Sequence, residues 1–272
     1  MTLAGPMKLV GKVAIVTGTS PNIGAGIAQG LADEGARVAC LDLRADNARQ
    51  CADWITGRGG EALGVVCDVT DEAQVMAAVA QVRDAYGGVD VLVSNAGVLG
   101  GLGVLEMPLE RWQRQLAVNL TGTFLCTKHV ARLMVEQRRP GSIIVIGSTA
   151  GHQGQAGNIG YCTSKSGLLN FTRAAAMDLA RHRIRVNSLT PTATDPEEGL
   201  ERAAAWGRPP TARSAGPLDF RTMVPMGRLP SPRHYARSAV FLASDDAEMI
   251  TGCDFRVDAG AIAKYWPWIP NA

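Results

Sequence analysis

Tyr161 and Lys165 stand four positions apart in Tyr161-Cys162-Thr163-Ser164-Lys165, and Ser148 lies upstream in Ile146-Gly147-Ser148-Thr149-Ala150-Gly151. On a helix, positions i and i+4 share a face, which would bring the lysine ammonium to the tyrosine phenol. A phenol titrating near about 10 is a poor acid–base group at neutral pH, but a fixed cation beside it favours the phenolate. Lowering the pKa by roughly three units takes about 4 kcal/mol of differential stabilisation. One ammonium in a partly buried site could supply much of that, and a bound cationic cofactor the rest. The three residues therefore outline a proton-transfer site. The spacing alone is unspecific, since tyrosine and lysine four apart also occur on ordinary helix faces.

The elements that would have to position these residues are legible as an alternation. Short β-branched runs fall at Val13 to Val16, Arg37 to Leu41, Ala62 to Val66, Val89 to Val93, Ser142 to Ile146 and Ile184 to Leu189. Longer helical patterns separate them, such as Asp71 to Tyr86 and Arg111 to Gln137. Alternating strands and helices predict βαβ units around a parallel sheet. The strand runs are almost wholly apolar, as expected when helices cover both faces. The pattern breaks between Pro191 and Pro232, where prolines crowd among small and charged residues. A long irregular segment late in an α/β domain reads as a substrate lid. Arg233 to Leu242 reads as a further helix and Phe255 to Val257 as a last strand. The expectation is one α/β domain over residues 1–272, a doubly wound parallel sheet with a lid at about 191–232 and an aromatic tail at 261–272.

The first strand runs into Thr17-Gly18-Thr19-Ser20-Pro21-Asn22-Ile23-Gly24, with a helical pattern following to Gly35. Glycines between a strand and a helix let the backbone approach a pyrophosphate, and the helix N-terminus adds free N–H groups and a positive dipole. The second strand ends at Asp42, followed by Leu43. A carboxylate there can accept hydrogen bonds from the adenosine ribose and repels a 2′-phosphate, which favours NAD over NADP. Arg44 is near enough to serve a phosphate instead; its other reading is a solvated loop residue.

These residues resemble the short-chain dehydrogenase/reductase family, with a Rossmann-like fold, from about Lys8 to Gly260. The family's Thr-Gly-x-x-x-Gly-x-Gly turn corresponds to Thr17, Gly18, Asn22 and Gly24, with asparagine at the middle glycine. Asparagine tolerates positive φ, so the turn is expected to survive. The resemblance implies adenine contacts at Asp68 and Val69 and a cofactor-binding segment at Ser94-Asn95-Ala96-Gly97, with Ser20 and Ile23 joining from the turn. It implies catalytic roles for Asn119, which orders a water, Ser148, which holds the substrate oxygen, Tyr161, the acid–base group, and Lys165. The lysine would bind the nicotinamide ribose and lower the tyrosine pKa. Nicotinamide contacts would fall at Asn187 and Pro191. Thr192 replaces a family glycine, and Thr194 could take over a threonine contact. The closing family motif appears as Val257-Asp258-Ala259-Gly260. His152, Gln155 and Asn158 lie between Ser148 and Tyr161, where one of them could reach a second polar group of the substrate.

Composition bounds the alternatives. The 272 residues carry a net charge of +2 with cations scattered, so no basic stripe suits nucleic acid. The densest basic run, Arg181 to Arg185, falls between a helix and a strand, where cations complement a helix C-terminus. No segment has the apolar length of a membrane span, and no signal-peptide pattern opens the chain, so a cytoplasmic location is expected. The six cysteines are dispersed without metal-ligand spacing, which predicts reduced thiols and no metal. Beyond Gly260, Tyr265, Trp266 and Trp268 form an aromatic tail; large aromatics favour interfaces, so it is expected across a subunit contact of a homo-oligomer, a tetramer or dimer. The leading function is an NAD-dependent oxidoreductase acting between a secondary alcohol and a ketone. The rivals are an NADPH-linked acyl-carrier ketoreductase and a non-catalytic dinucleotide-binding sensor.

Overall fold

Seven parallel strands form the sheet: β1 Val13–Thr17, β2 Arg37–Asp42, β3 Glu61–Val66, β4 Val91–Ser94, β5 Gly141–Ile146, β6 Ile184–Pro191 and β7 Asp254–Val257. They lie in the order β3-β2-β1-β4-β5-β6-β7. The computed structural model describes residues 6–209 and 219–264. Strand order reverses between β1 and β4, and the crevice beyond the carboxyl ends of these strands is where open α/β sheets bind ligands. Every strand end of interest, from Thr17 to Pro191, opens on that side.

Successive side chains of a strand point to opposite faces, so one sheet feeds two cores. Ala14 and Val16 pack under α1 Ile23–Asp33, α2 Ala45–Thr56 and α8 Pro232–Ala243. Val13 and Ile15 face the other core, beneath α3 Glu72–Tyr86, α5 Gly122–Gln137 and α6 Ile159–Leu179. Helix α3 shows how local signals set the limits. Asp71 accepts hydrogen bonds from the N–H groups of Ala73 and Gln74 at its start, and Gly87 closes it at φ 79°.

Two expectations need correction. The helical pattern from Arg111 to Gln137 is split into α4 Leu109–Leu116 and α5 by a π turn at Ala117–Thr121. Isolated π turns in helices concentrate at functional sites, and this one holds Asn119. The segment 191–232, expected to be irregular, contains α7 Glu197–Ala205 and a 3-10 turn at Phe220–Met223. No proline falls between Pro196 and Pro209, and Glu197 and Glu198 complement the helix dipole at the first turn. Helix α7 is fastened away from the expected substrate side. Glu198 accepts from the Ser231 hydroxyl at 2.5 Å and the Arg233 N–H at 3.1 Å, while Arg202 donates to the Pro21 carbonyl at 3.0 Å. Trp206 is buried in the core shared by α1, α2 and α8. The expected lid therefore divides, and its first helix packs on the turn between β1 and α1. Leu218 and the aromatic tail from Tyr265 onward lie outside the described residues.

Candidate active site

The turn between β1 and α1 is built on close backbone contact. Gly18 has φ +69°, and a Cβ there would lie 2.7 Å from Ala96 Cα; a Cβ on Gly24 would lie 2.1 Å from the Gly18 carbonyl oxygen. Only glycine fits either position. The Ser20 carbonyl accepts from Asn22 N at 2.7 Å and Ala25 N at 3.2 Å, and Ile23 opens α1. No side chain caps α1. Its first N–H groups therefore retain the capacity to bind an anion. Asn22 has φ −110°, so tolerance of positive φ is not what lets asparagine replace glycine here. The side chain instead lies against Gly199 of α7, where a Cβ would approach Asn22 Oδ1 to 3.4 Å.

Asn95 ties this turn to β4. Its Nδ2 donates to the carbonyls of Thr17 at 3.0 Å and Gly18 at 2.8 Å, and the N–H groups of Asn95 and Ala96 both donate to Thr17 Oγ1 at 3.0 Å. At the end of β2, Asp42 is nearly buried and Leu43 exposes its apolar side chain beside it. At the end of β3, Asp68 Oδ1 accepts from Thr70 N and Oγ1 at 2.9 and 2.7 Å, while Val69 is buried.

Across the switch point, Ser148 opens a 3-10 turn and accepts from Ala150 N at 3.1 Å. Tyr161 lies in the first turn of α6 and Lys165 one turn later, on the shared face that their spacing predicts. Lys165 is buried; its ammonium donates to the Ile146 carbonyl at 2.8 Å and lies 5.7 Å from the Tyr161 ring centroid. Burial pulls its pKa down to about 8. Burial also pushes the Tyr161 phenol above its ordinary value, opposed by the Ser148 hydroxyl beside it. The expected lowering of the phenol by Lys165 is thus reversed in the protein alone. Desolvation of the phenolate is the largest cause, and the Lys165 ammonium is turned toward the Ile146 carbonyl.

Asn119 is fully buried, and its side chain is committed to structure. Nδ2 donates to the Val98 carbonyl at 3.1 Å and Ser164 Oγ at 2.9 Å, and Oδ1 accepts from Val98 N at 2.8 Å. The amide pins the segment after Gly97 against α6. A Cβ on Gly97 would lie 3.4 Å from Asn119 Oδ1 and 3.8 Å from Lys165 Nζ, so these three residues converge.

A cleft of about 860 Å³ joins the groups, running from Asn22 and Ile23 past Asn95 and Gly97 to Ser148, Tyr161 and Lys165. Pro191, Thr192 and Thr194 form its wall at the end of β6. Gln155 also lines it and accepts from Asn158 Nδ2 at 3.1 Å; Phe220, Met223 and Val224 supply an apolar side. Gln153 and Lys264 border it as well, without having been singled out in the sequence.

Two candidates fall elsewhere. His152 Nε2 lies 3.0 Å from Asp254 Oδ2 on β7, and it does not line the cleft. The 3-10 turn after Ser148 swings it toward the β6–β7 edge. Asn187 is buried on β6, donating to the Ile250 carbonyl at 2.8 Å and accepting from Cys253 N at 3.1 Å, so it fixes a turn and is not part of the cleft wall. Sequence reasoning also missed Tyr235. Its buried hydroxyl on α8 lies 3.4 Å from the Thr192 carbonyl and 3.3 Å from Thr194 Oγ1, steadying that wall. Its sequence signal is that of any core aromatic.

A parallel sheet with a glycine-built turn at its switch point and a tyrosine–lysine pair across the crevice defines a dinucleotide-fold oxidoreductase. The chain belongs to the short-chain dehydrogenase/reductase family. A family model described as "Enoyl-(Acyl carrier protein) reductase" matches residues 18–261. The chain is 38% identical over 257 residues to D-threitol dehydrogenase of Mycolicibacterium smegmatis, covering 94% of this chain and 95% of that protein. It is 36% identical over 258 residues to galactitol 2-dehydrogenase of Agrobacterium fabrum, covering 93% and 98%. The crystal structure of a short-chain type dehydrogenase/reductase from Mycobacterium marinum superposes with a TM-score of 0.84 at 34% identity, covering 97% of this chain and 100% of that one. The family binds a nicotinamide dinucleotide. The cradle here fits one, because Gly18 and Gly24 leave the backbone bare where a Cβ would intrude and the N–H groups opening α1 lack a side-chain cap.

Proposed function

We propose that the protein is an NAD-dependent dehydrogenase that interconverts a secondary alcohol and a ketone, with Tyr161 as the acid–base group. The observation that carries this reading is the placement of Ser148, Tyr161 and Lys165 on one cleft that continues to the glycine-built turn. When bound, the dinucleotide supplies the hydride acceptor and, in its oxidised form, a positive charge.

The protein's own residues do the rest. The Gly18–Gly24 turn and the start of α1 hold the pyrophosphate, Asp42 holds the adenosine ribose beside Leu43, and Asp68 and Val69 border the adenine. Asn95, Ala96 and Gly97 would lie along the nucleotide, and Pro191, Thr192 and Thr194 would hold the nicotinamide. Lys165 holds the second ribose. Ser148 Oγ and Tyr161 Oη converge on the substrate oxygen, positioning it and, in oxidation, removing its proton. In reduction, the phenol returns the proton. The amide of Asn119 is occupied, so its part in the proton path is to fix the Gly97–Val98 segment beside Lys165.

The substrate class is a polyol or a cyclic alcohol. Gln153, Gln155 and Asn158 offer hydrogen bonds in a cleft that Phe220, Met223 and Val224 also line, and relatives named as threitol and galactitol dehydrogenases point the same way. The protein acts away from membranes and nucleic acid, in the cytoplasm, as a homo-oligomer. An oxidation screen over polyols, cyclic alcohols and aromatic alcohols with NAD and NADP tests the reading. Turnover of a secondary alcohol with NAD supports it. Turnover of acyl-carrier thioesters alone, or with NADP alone, overturns it.

A further inference from the structure

The cofactor half carries a network that the proposed chemistry does not use. Asp42 Oδ1 accepts from Arg44 N at 2.9 Å and from Asn47 Nδ2 at 2.9 Å. Asn47 Oδ1 in turn accepts from Arg208, which follows α7. Arg208 Nη2 also donates to Gln50 Oε1 at 2.8 Å, and Gln50 Nε2 donates to the Trp206 carbonyl at 2.8 Å. The Arg208 guanidinium lies 5.0 Å from the Trp206 ring centroid. Asp42 Oδ2 receives no hydrogen bond among the described residues.

The order of donors and acceptors in this chain is forced. A guanidinium only donates and an ionised carboxylate only accepts. Asn47 can satisfy both neighbours in one orientation of its amide, with oxygen to Arg208 and nitrogen to Asp42. Gln50 is oriented by the same constraint. Without Arg208, the Asn47 amide can reverse and present oxygen to the Asp42 carboxylate, an arrangement with no hydrogen bond. The interposed amide also keeps Arg208 from pairing directly with Asp42, which would occupy both carboxylate oxygens.

We propose that Asn47, oriented by Arg208, is a positioning residue for cofactor selectivity: it holds Asp42 by one oxygen and leaves the other for the ribose hydroxyls. This rests on the assignment of Asp42 to the adenosine ribose and of NAD as the cofactor. The segment after α7 is thereby coupled to discrimination between a 2′-hydroxyl and a 2′-phosphate. A support that fixes the rotamer of a binding carboxylate sharpens both its attraction for the hydroxyls and its repulsion of the phosphate.

Titration of NADH and NADPH by nucleotide fluorescence tests it, on the wild type and on Asn47→Ala, Arg208→Gln, Asp42→Ala and the Asp42→Ala/Asn47→Ala double variant. Asn47→Ala should weaken NADH about tenfold while changing NADPH less, the scale expected for losing a hydrogen bond to a charged group. Arg208→Gln, on a half-buried segment, should shift the NADPH-to-NADH ratio of dissociation constants in the same direction by a smaller factor. It keeps the test available if Asn47→Ala does not fold. In the Asp42→Ala background, Asn47→Ala should change the ratio no further, which a merely structural asparagine would not reproduce.

A ratio within about twofold of the wild type in both single variants overturns the proposal. So does an additive double variant. Selective loss of NADPH affinity in Arg208→Gln would also overturn it, by assigning Arg208 to the phosphate. A wild type that binds NADPH more tightly sinks the NAD assignment alone, since the coupling between Asp42 and Asn47 still decides whether one acts through the other.

Discussion

At the residue scale, the site is governed by two buried ionisable groups with opposite needs. Burial raises the Tyr161 phenol and lowers Lys165 to about 8, so each is pushed toward its neutral form. If Tyr161 is the base, kcat/KM for alcohol oxidation rises with pH as the phenol ionises, and ketone reduction falls. A flat oxidation profile between about pH 6 and about pH 10 would remove Tyr161 from that role. Tyr161→Phe should cost about 10²- to 10⁴-fold in kcat with little change in NADH affinity, measured by steady-state rates and fluorescence titration. Lys165 also enters the stability. Its folded pKa of about 8 lies below the ordinary 10.5, so between those values the unfolded chain binds more protons and wild-type stability rises with pH. The penalty is full below pH 8. Comparing urea unfolding of Lys165→Met with the wild type, the difference should move by on the order of 3 kcal/mol in favour of the wild type as the pH passes through that window. A difference independent of pH would show that the lysine is not depressed.

At the element scale, the glycine-built turn and the divided 191–232 segment set the geometry. Gly24→Ala places a methyl 2.1 Å from the Gly18 carbonyl oxygen, a backbone atom that cannot yield as the far end of a side chain would. It should destabilise the protein by about 1–3 kcal/mol and weaken NADH binding at least about tenfold. Thermal melting and titration check it, and unchanged affinity would separate the turn from the cofactor. The strands, most helices and the turn were legible because each carries a local signal: apolar runs, glycines, the cap at Asp71. The π turn at Ala117–Thr121 and helix α7 were not. The first depends on Asn119 finding Val98 and Ser164, and the second on Glu198 and Arg202 finding Ser231 and Pro21. Those partners are remote in sequence, so a window around either element holds only part of the reason for it.

At the scale of the whole molecule, the sheet order brings Thr17, Ser94, Ile146 and Pro191 to one edge, and the cleft opens along that edge. All six cysteines are unpaired, and no described helix is long and apolar enough to cross a membrane. The aromatic tail bears on assembly. Three large aromatics close together favour burial at an interface, and removing residues 264–272 should lower the oligomer mass seen by light scattering and reduce activity. Unchanged mass and activity would place the tail outside any subunit contact.

The sequence by itself determined the class of fold and named the groups proposed to react. Strand and helix periods are local, and the order Asn119, Ser148, Tyr161, Lys165 sits in the chain whatever surrounds it. Only the tertiary structure decided what those groups and their neighbours do. It turned His152 to Asp254 and Asn187 to Cys253, spent the amide of Asn119 on Val98 and Ser164, and laid α7 on the turn between β1 and α1. Hydrogen-bond partners and desolvation are properties of a side chain's surroundings, and those exist only once distant segments have packed together.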